Sequence, residues 1–150
     1  MKRISLAVLT SLIIAAPALA QVTVTEPWVR GTVEAQKATG AFMKLTATQN
    51  TRLIEARSPV AGVVEIHEMA VENNVMKMRQ IPGLELPAGK AVELKPGGYH
   101  VMLMDLKRPM TTGESVPITL IFEDKDKKRQ SVEIKAPVRA LNAAASGHKH

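Results

Sequence analysis

The chain has 150 residues, which is enough for one domain with a substantial core, and a formal net charge of +6 at pH 7. It has no cysteine, which excludes disulfides, thiol catalysis, iron–sulfur clusters and cysteine-ligated zinc or blue copper. The basic cluster in residues 123–129 consists of four basic residues interleaved with three acids, and the chain has one Trp, one Tyr and two Phe. A nucleic-acid surface needs a basic stripe with stacking aromatics, so none is expected.

The first twenty residues have the layout of a secretory signal peptide. Lys2 and Arg3 precede an apolar stretch, which ends in the small-residue sequence Ala18-Leu19-Ala20. We therefore expect cleavage after Ala20, export to the periplasm and no stable membrane insertion. The alternative is an uncleaved N-terminal anchor. No cysteine follows the expected cleavage site, so a lipid anchor on a new N-terminal cysteine is not expected.

Residues 21–138 are predicted to form one all-β domain, because short extended segments alternate with clusters of turn-forming residues. In chain order the predicted strands are Val22–Thr25, Ala41–Thr48, Leu53–Ser58, Val63–His67, Val75–Gln80, Ala91–Leu94, His100–Asp105, Val116–Phe122 and Ser131–Lys135. This spacing indicates a β-sandwich or a barrel. Residues 139–150 lose the strand pattern and are predicted to be a flexible C-terminal tail.

Histidine and methionine are clustered in the middle of the predicted domain. Met69 follows His67 by two residues, Met102 follows His100 by two, and Met78 lies in the strand between them. Methionine on a strand face is ordinarily a core residue, and an isolated histidine is ordinarily a surface or hydrogen-bonded residue. The association of both histidines of the domain with methionine nevertheless indicates a metal site.

The donor types favour one metal in particular. Thioether sulfur is soft and neutral, and imidazole is borderline, so a His/Met set without thiolate suits Cu(I) and permits ligand exchange. Catalytic motifs are missing: there is no G-x-S-x-G sequence, and Val71 occupies the position at which H-E-x-x-H would close. We therefore expect a carrier and not an enzyme.

The spacing of these residues resembles a known family. Ten residues separate His67 from Met78, twenty-one separate Met78 from His100, and one separates His100 from Met102. This H-x10-M-x21-H-x-M pattern, with the surrounding EIHEM, VMKMRQI and LKPGGYHVMLMDL, is similar to the periplasmic copper chaperones of the PCu(A)C family. The resemblance covers essentially the whole chain after residue 20.

The resemblance implies a cupredoxin-like or immunoglobulin-like β-sandwich that binds one Cu(I) through His67, Met78, His100 and Met102. It also implies delivery of copper to the Cu(A) site of cytochrome c oxidase. The implied partners are the Cu(A)-bearing oxidase subunit and a Sco-type thiol–disulfide protein. We expect the carrier to be a monomer.

Several residues keep more than one interpretation. Met69 is a candidate alternative ligand or part of the rim of the site, Met76 is a candidate for an apolar rim, and Met104 is expected to pack in the core. In the tail, His148 and His150 either capture a second copper ion, Cu(II), or reflect chance composition.

Two other functions fit the same sequence. A periplasmic copper buffering or resistance protein would use the same site without a specific acceptor. A metal-free exported β-sandwich would serve as an interaction module. The metal-free alternative predicts methionines buried in the core and a separation of His67 from His100 of more than about 10 Å, far beyond metal–ligand bond lengths.

Overall fold

The structure is a computed structural model that describes residues 21–140. The predicted signal peptide and residues 141–150 of the predicted tail, with His148 and His150, lie outside the described residues. Residues 21–140 form no helix, and thus none that is long and apolar enough to cross a membrane. The strands are β1 (Val22–Arg30), β2 (Ala38–Ala47), β3 (Thr51–Arg57), β4 (Ala61–Glu72), β5 (Val75–Gln80), β6 (Leu84–Leu86), β7 (Ala91–Leu94), β8 (His100–Leu106), β9 (Ser115–Asp124) and β10 (Arg129–Arg139).

The strands form one sheet in the order β5-β4-β8-β2-β1-β10-β9-β3-β6, and β7 pairs separately with β2. Strands β5, β4, β8, β2 and β1 form one layer, and β10, β9, β3 and β6 form the other. The layers are joined where β1 runs parallel to β10. Buried apolar residues from both layers, such as Leu103 of β8 and Phe122 of β9, form a single core. The prediction of an all-β sandwich is confirmed.

All nine predicted strands are present, and most extend a few residues further than the sequence indicated. The structure adds β6, in which Leu84 and Leu86 are buried on either side of exposed Glu85. The sequence did not predict this strand, because its three residues, in the four-residue segment between Pro82 and Pro87, give too short an alternation to recognise.

Strand β8 has one face in the core and one face outside it. Val101 and Leu103 are fully buried core residues, so Met102 and Met104 point to the opposite, outer face. Met104 is half-buried there and lies outside the core cluster. The expectation that Met104 packs in the core is therefore wrong, because the other face of β8 fills that space.

A bulge in β1 changes which side chains reach the outer face. Val24 packs against the core, but after the bulge Val29 is the core residue, so the inward-facing positions change from even to odd numbers. Glu26 takes a left-handed conformation at the bulge, with φ of 51°. As a result Trp28 lies on the outer face, directly opposite Phe42 of β2.

Candidate metal site

The two histidines of the described chain are neighbours. His67 of β4 and His100 of β8 are direct partners in the antiparallel register, and their ring centroids are 5.6 Å apart. Both are buried, with exposed fractions of 8% and 4%. The metal-free alternative predicted widely separated histidines, so this geometry counts against it.

Each histidine ring is held by a hydrogen bond at one nitrogen. Nε2 of His67 lies 2.6 Å from a carboxylate oxygen of Glu65, and Nδ1 of His100 lies 3.1 Å from the carbonyl oxygen of Gly98. Both oxygens are acceptors, so these two nitrogens carry the ring protons of the neutral imidazoles.

The other ring nitrogens are the ones available to a metal. Nδ1 of His67 and Nε2 of His100 are buried and have no hydrogen-bond partner among residues 21–140. In a neutral imidazole with the opposite nitrogen protonated, each carries a lone pair. Metal-binding histidines characteristically donate their other N–H to a carboxylate or carbonyl group, as Glu65 and Gly98 allow here.

The turn before β8 fixes the position of His100. Gly97 has a φ of 83°, a left-handed conformation that glycine adopts without steric cost. The N–H of Gly98 donates to the carbonyl oxygen of Lys95 at 2.9 Å, which closes the turn. The carbonyl of Gly98 is thereby placed to accept the hydrogen bond from His100.

Three methionines lie beside the histidines. Met69 of β4 and Met78 of β5 are direct partners across the β4–β5 pair. Together with Met102 and His100, they line an open pocket of about 280 Å³. Met78 is 47% exposed, whereas Met69 and Met102 are half-buried. His67 does not line this pocket, but its ring lies beside that of His100.

The structure therefore brings all four predicted ligands, and Met69, into one region of the outer face. Met76 lies on the same face of β5 but not in the pocket lining, and it is 52% exposed. This position fits the interpretation of Met76 as part of an apolar rim.

Phe42 and Gly40, which the sequence analysis did not single out, shape one wall of the pocket. Gly40 lies opposite Met102, and a Cβ atom at Gly40 would lie 2.7 Å from the Phe42 ring. The centroid of that ring is 6.3 Å from the centroid of the His100 ring. The missing side chain at Gly40 thus leaves the space that Phe42 occupies beside His100.

The surroundings of His100 favour its neutral form. Burial lowers the pKa of His100 below its ordinary value of 6.5; the Gly98 hydrogen bond opposes this, and electrostatic repulsion from the neighbouring His67 and Arg30 adds to it. A histidine must be deprotonated to bind a metal, so this shift favours metal binding near neutral pH.

The donors at the pocket are soft or borderline. Within residues 21–140 no group of three or more His, Asp or Glu side chains is arranged to hold a metal ion. Two imidazole nitrogens and the thioethers of the pocket are the ligands that suit Cu(I). Fold and pocket together define a β-sandwich protein with a candidate soft-metal site.

Comparison with known proteins places the chain in a family. A family model described as "Putative lipoprotein LpqE-like" matches residues 22–138, and the chain belongs to this LpqE-like family. The chain is 31% identical over 129 residues to "Putative lipoprotein Lxx21020" of Leifsonia xyli subsp. xyli, covering 85% of this chain and 75% of the relative. It is 34% identical over 125 residues to the protein RP573 of Rickettsia prowazekii, covering 79% and 68%.

Solved structures give the same grouping. A copper-bound PCuAC domain from PmoF2 superposes with a TM-score of 0.65 at 27% identity, covering 83% of this chain and 97% of that domain. The solution structure of CuI-DR1885 from Deinococcus radiodurans superposes with a TM-score of 0.57 at 30% identity, covering 88% and 84%. The predicted membership of the PCu(A)C family is thereby confirmed.

Proposed function

We propose that the protein is an exported Cu(I) chaperone that carries copper in the periplasm and releases it by ligand exchange. The observation that carries this proposal is a pair of buried ring nitrogens, on His67 and His100, that have no hydrogen-bond partner within residues 21–140 and lie next to the thioether-lined pocket. An unpartnered buried polar atom ordinarily costs about 1–3 kcal/mol, and a bound metal ion would remove that cost.

Each ligand has a defined role. His67 binds copper through Nδ1 and His100 through Nε2, because their other nitrogens donate to Glu65 and Gly98. Met78 and Met102 supply thioether sulfur, which selects Cu(I) over harder divalent ions. Met69, which is paired with Met78, serves as an alternative sulfur ligand.

Release begins at the most exposed ligand. Met78 lies on the edge strand β5, all six residues of which are exposed, whereas both imidazoles are buried. A donor from an acceptor protein therefore reaches the copper most easily from the side of Met78. Replacement of one ligand at a time transfers the ion without releasing it to water, and no chemical bond of a substrate is broken.

The similar proteins support this role. Two of the solved structures are named as copper-bound and as the CuI form, and two comparisons carry the word lipoprotein. Together with the signal-peptide pattern of residues 1–20, this supports export. The Cu(A)-bearing subunit of cytochrome c oxidase as acceptor, and a Sco-type protein as a further partner, follow from the family resemblance.

A titration with Cu(I) in the presence of a competing chelator tests the proposal. We expect one tightly bound Cu(I), with two sulfur and two nitrogen neighbours in X-ray absorption spectra. The His100→Ala/Met102→Ala variant should lose this complex. Met104→Ala is the matched control, since Met104 shares the strand face but does not line the pocket. Failure of the unaltered protein to form a one-to-one complex would refute the proposal.

Delivery and buffering are separated by a second measurement. The Cu(I)-loaded protein is mixed with the soluble Cu(A)-bearing domain of the oxidase. The two proteins are then separated, and the copper content of each is measured. Transfer to that domain supports delivery. Retention of copper by the carrier, with a normal one-to-one complex, supports buffering.

A further inference from the structure

Two arginines of the described chain stand apart from the others. Residues 21–140 contain seven arginines, of which five form ion pairs with glutamate: Arg52, Arg57, Arg79, Arg108 and Arg129. Arg30 and Arg139 form no ion pair within residues 21–140. These two are direct partners across the parallel β1–β10 pair, so their side chains lie on the same face.

Both guanidinium groups are supported by aromatic rings. The guanidinium carbon of Arg30 lies 5.5 Å from the centroid of Phe42, and that of Arg139 lies 5.2 Å from the centroid of Trp28. The two rings contact each other with centroids 4.6 Å apart. Stacking on aromatic faces holds a guanidinium group in place and leaves its edge free for bidentate hydrogen bonds.

Neither of these positive charges is paired with a carboxylate in the part of the chain that the structure describes. Nε of Arg30 is buried and has no hydrogen-bond partner in the described part of the chain. Every Asp and Glu of the 150-residue sequence lies between residues 26 and 133, so residues 1–20 and 141–150 supply no carboxylate side chain. Adjacent like charges are destabilising, as is a buried donor without an acceptor. An external carboxylate would offset the repulsion between the two adjacent charges.

The position of Arg30 indicates where such a carboxylate would come from. Arg30 lines the same pocket as His100, Met78 and Met102. Exposed apolar side chains continue from Met78 along the β4–β5 hairpin, with Val71 at 67% and Met76 at 52% exposed. An apolar surface with a cation at its border fits a protein that presents apolar residues bordered by carboxylates.

We infer that Arg30 and Arg139 form a carboxylate-binding clamp that docks an acidic side chain of the protein that receives the copper. The clamp orients the acceptor over the pocket, with its apolar surface against Val71 and Met76. This inference rests on the proposed function. An anionic membrane is a poorer occupant, because two arginines contribute only about 2 kcal/mol towards a charged bilayer.

Calorimetric titration of the Cu(I)-loaded protein with the soluble Cu(A)-bearing oxidase domain tests the clamp. Arg30→Gln/Arg139→Gln should weaken association at least about tenfold, because two charge-assisted interactions are lost. Lys125→Gln/Lys127→Gln is the matched control, since it removes two charges from the turn before β10, at the far end of the strand from Arg139. The control should associate as the unaltered protein does. Circular dichroism verifies that each variant is folded.

Arg30→Lys/Arg139→Lys distinguishes the clamp from a general effect of charge. Lysine keeps the charge but not the planar fork, so association should stay weaker than that of the unaltered protein. Full restoration by lysine, equal weakening in the control variant, or no association of the copper-loaded protein would overturn the inference. So would binding of the unaltered protein to phosphatidylglycerol vesicles in place of the domain.

Copper binding by the same variants distinguishes a failure of the clamp inference from a failure of the proposed function. Arg139→Gln alone should still form the one-to-one Cu(I) complex and should associate more weakly with the domain, because Arg139 supplies no ligand and does not line the pocket. Failure of every form to bind Cu(I) would refute the chaperone role. Normal copper binding with unchanged association of the glutamine variant would refute the clamp alone.

Discussion

Glu65 accepts a hydrogen bond from Nε2 of His67 at 2.6 Å, and so determines which nitrogen of that ring is available to a metal. The two residues are separated by one position on β4, and their side chains share the outer face of the sheet. His67 is held by a side chain of its own strand, whereas His100 is held by a backbone carbonyl of the preceding turn. Only the first of these two supports can be removed by substitution.

Glu65→Ala should lower the affinity for Cu(I) by about 10–100-fold, since partners that orient a metal-binding histidine have effects of this size. Glu65→Gln should have a smaller effect, because its amide oxygen still accepts a hydrogen bond from Nε2. Competition with a chelator measures both. Glu68→Ala is the control, since Glu68 faces the other side of β4 and pairs with Arg79. Equal affinities of Glu65→Ala and the control would contradict the role of Glu65.

Met78→Ala should weaken Cu(I) binding less than Met102→Ala. Met69 is the direct partner of Met78 and lines the same pocket, so its sulfur can replace the lost one. No second methionine of the pocket lies on β8 beside Met102. Sulfur coordination numbers from X-ray absorption measure this directly. Two sulfur neighbours should remain in Met78→Ala and one in Met69→Ala/Met78→Ala. One sulfur already in Met78→Ala would show that Met69 is only a rim residue.

Gly40→Ala should disturb the site without replacing a ligand. The added Cβ would lie 2.7 Å from the Phe42 ring, so the ring must move from its place beside His100. Overpacking of this kind costs about 1–3 kcal/mol of unfolding free energy, measured by denaturant titration. We also expect weaker Cu(I) binding.

A second variant tests the cause of this effect. Phe42→Leu/Gly40→Ala should recover part of the lost stability, because the smaller side chain makes room for the methyl group. If the unfolding free energy lost in the double variant equals the sum of the losses in Gly40→Ala and Phe42→Leu, then Gly40 and Phe42 do not interact.

The sequence predicted the candidate ligands better than the residues that surround them and hold them in place. The spacing of His67, Met78, His100 and Met102 indicated a common site, and the structure places their side chains in one region because β4, β5 and β8 are adjacent. Alternation along β8 also placed His100 and Met102 on one face. Alternation alone cannot tell which face of a strand enters the core, and for this reason Met104 was assigned wrongly.

The supporting residues depend on relationships that a single sequence does not display. Gly40 and Phe42 reach the pocket through the register of β2 with β8. Trp28 faces the same side only because of the bulge in β1. Arg30 and Arg139 are distant in sequence and meet only where the two layers of the sandwich join. Each of these contacts is set by strand pairing and not by local pattern.

The apo protein should lose stability in mildly acidic solution because of His100. Burial lowers the pKa of His100 in the folded state below 6.5, so between 6.5 and the lower value the unfolded chain binds more protons. The contribution of His100 is therefore fully present above pH 6.5 and is lost as the pH falls through this window. Denaturant midpoints of the copper-free protein should be similar at pH 8 and pH 7, and should decrease from pH 7 to pH 6 and pH 5.

His100→Gln provides the comparison, because glutamine does not titrate and keeps a polar side chain at this position. The decrease between pH 7 and pH 5 should be smaller in His100→Gln than in the unaltered protein, although its stability at pH 8 is also lower if the buried amide lacks partners. Parallel midpoint curves for the two proteins would show that other groups cause the decrease.

The same pKa shift affects copper binding. Because the buried imidazole resists protonation, copper binding through His100 should persist to lower pH than binding through an exposed histidine. Chelator competition over the same pH series measures this.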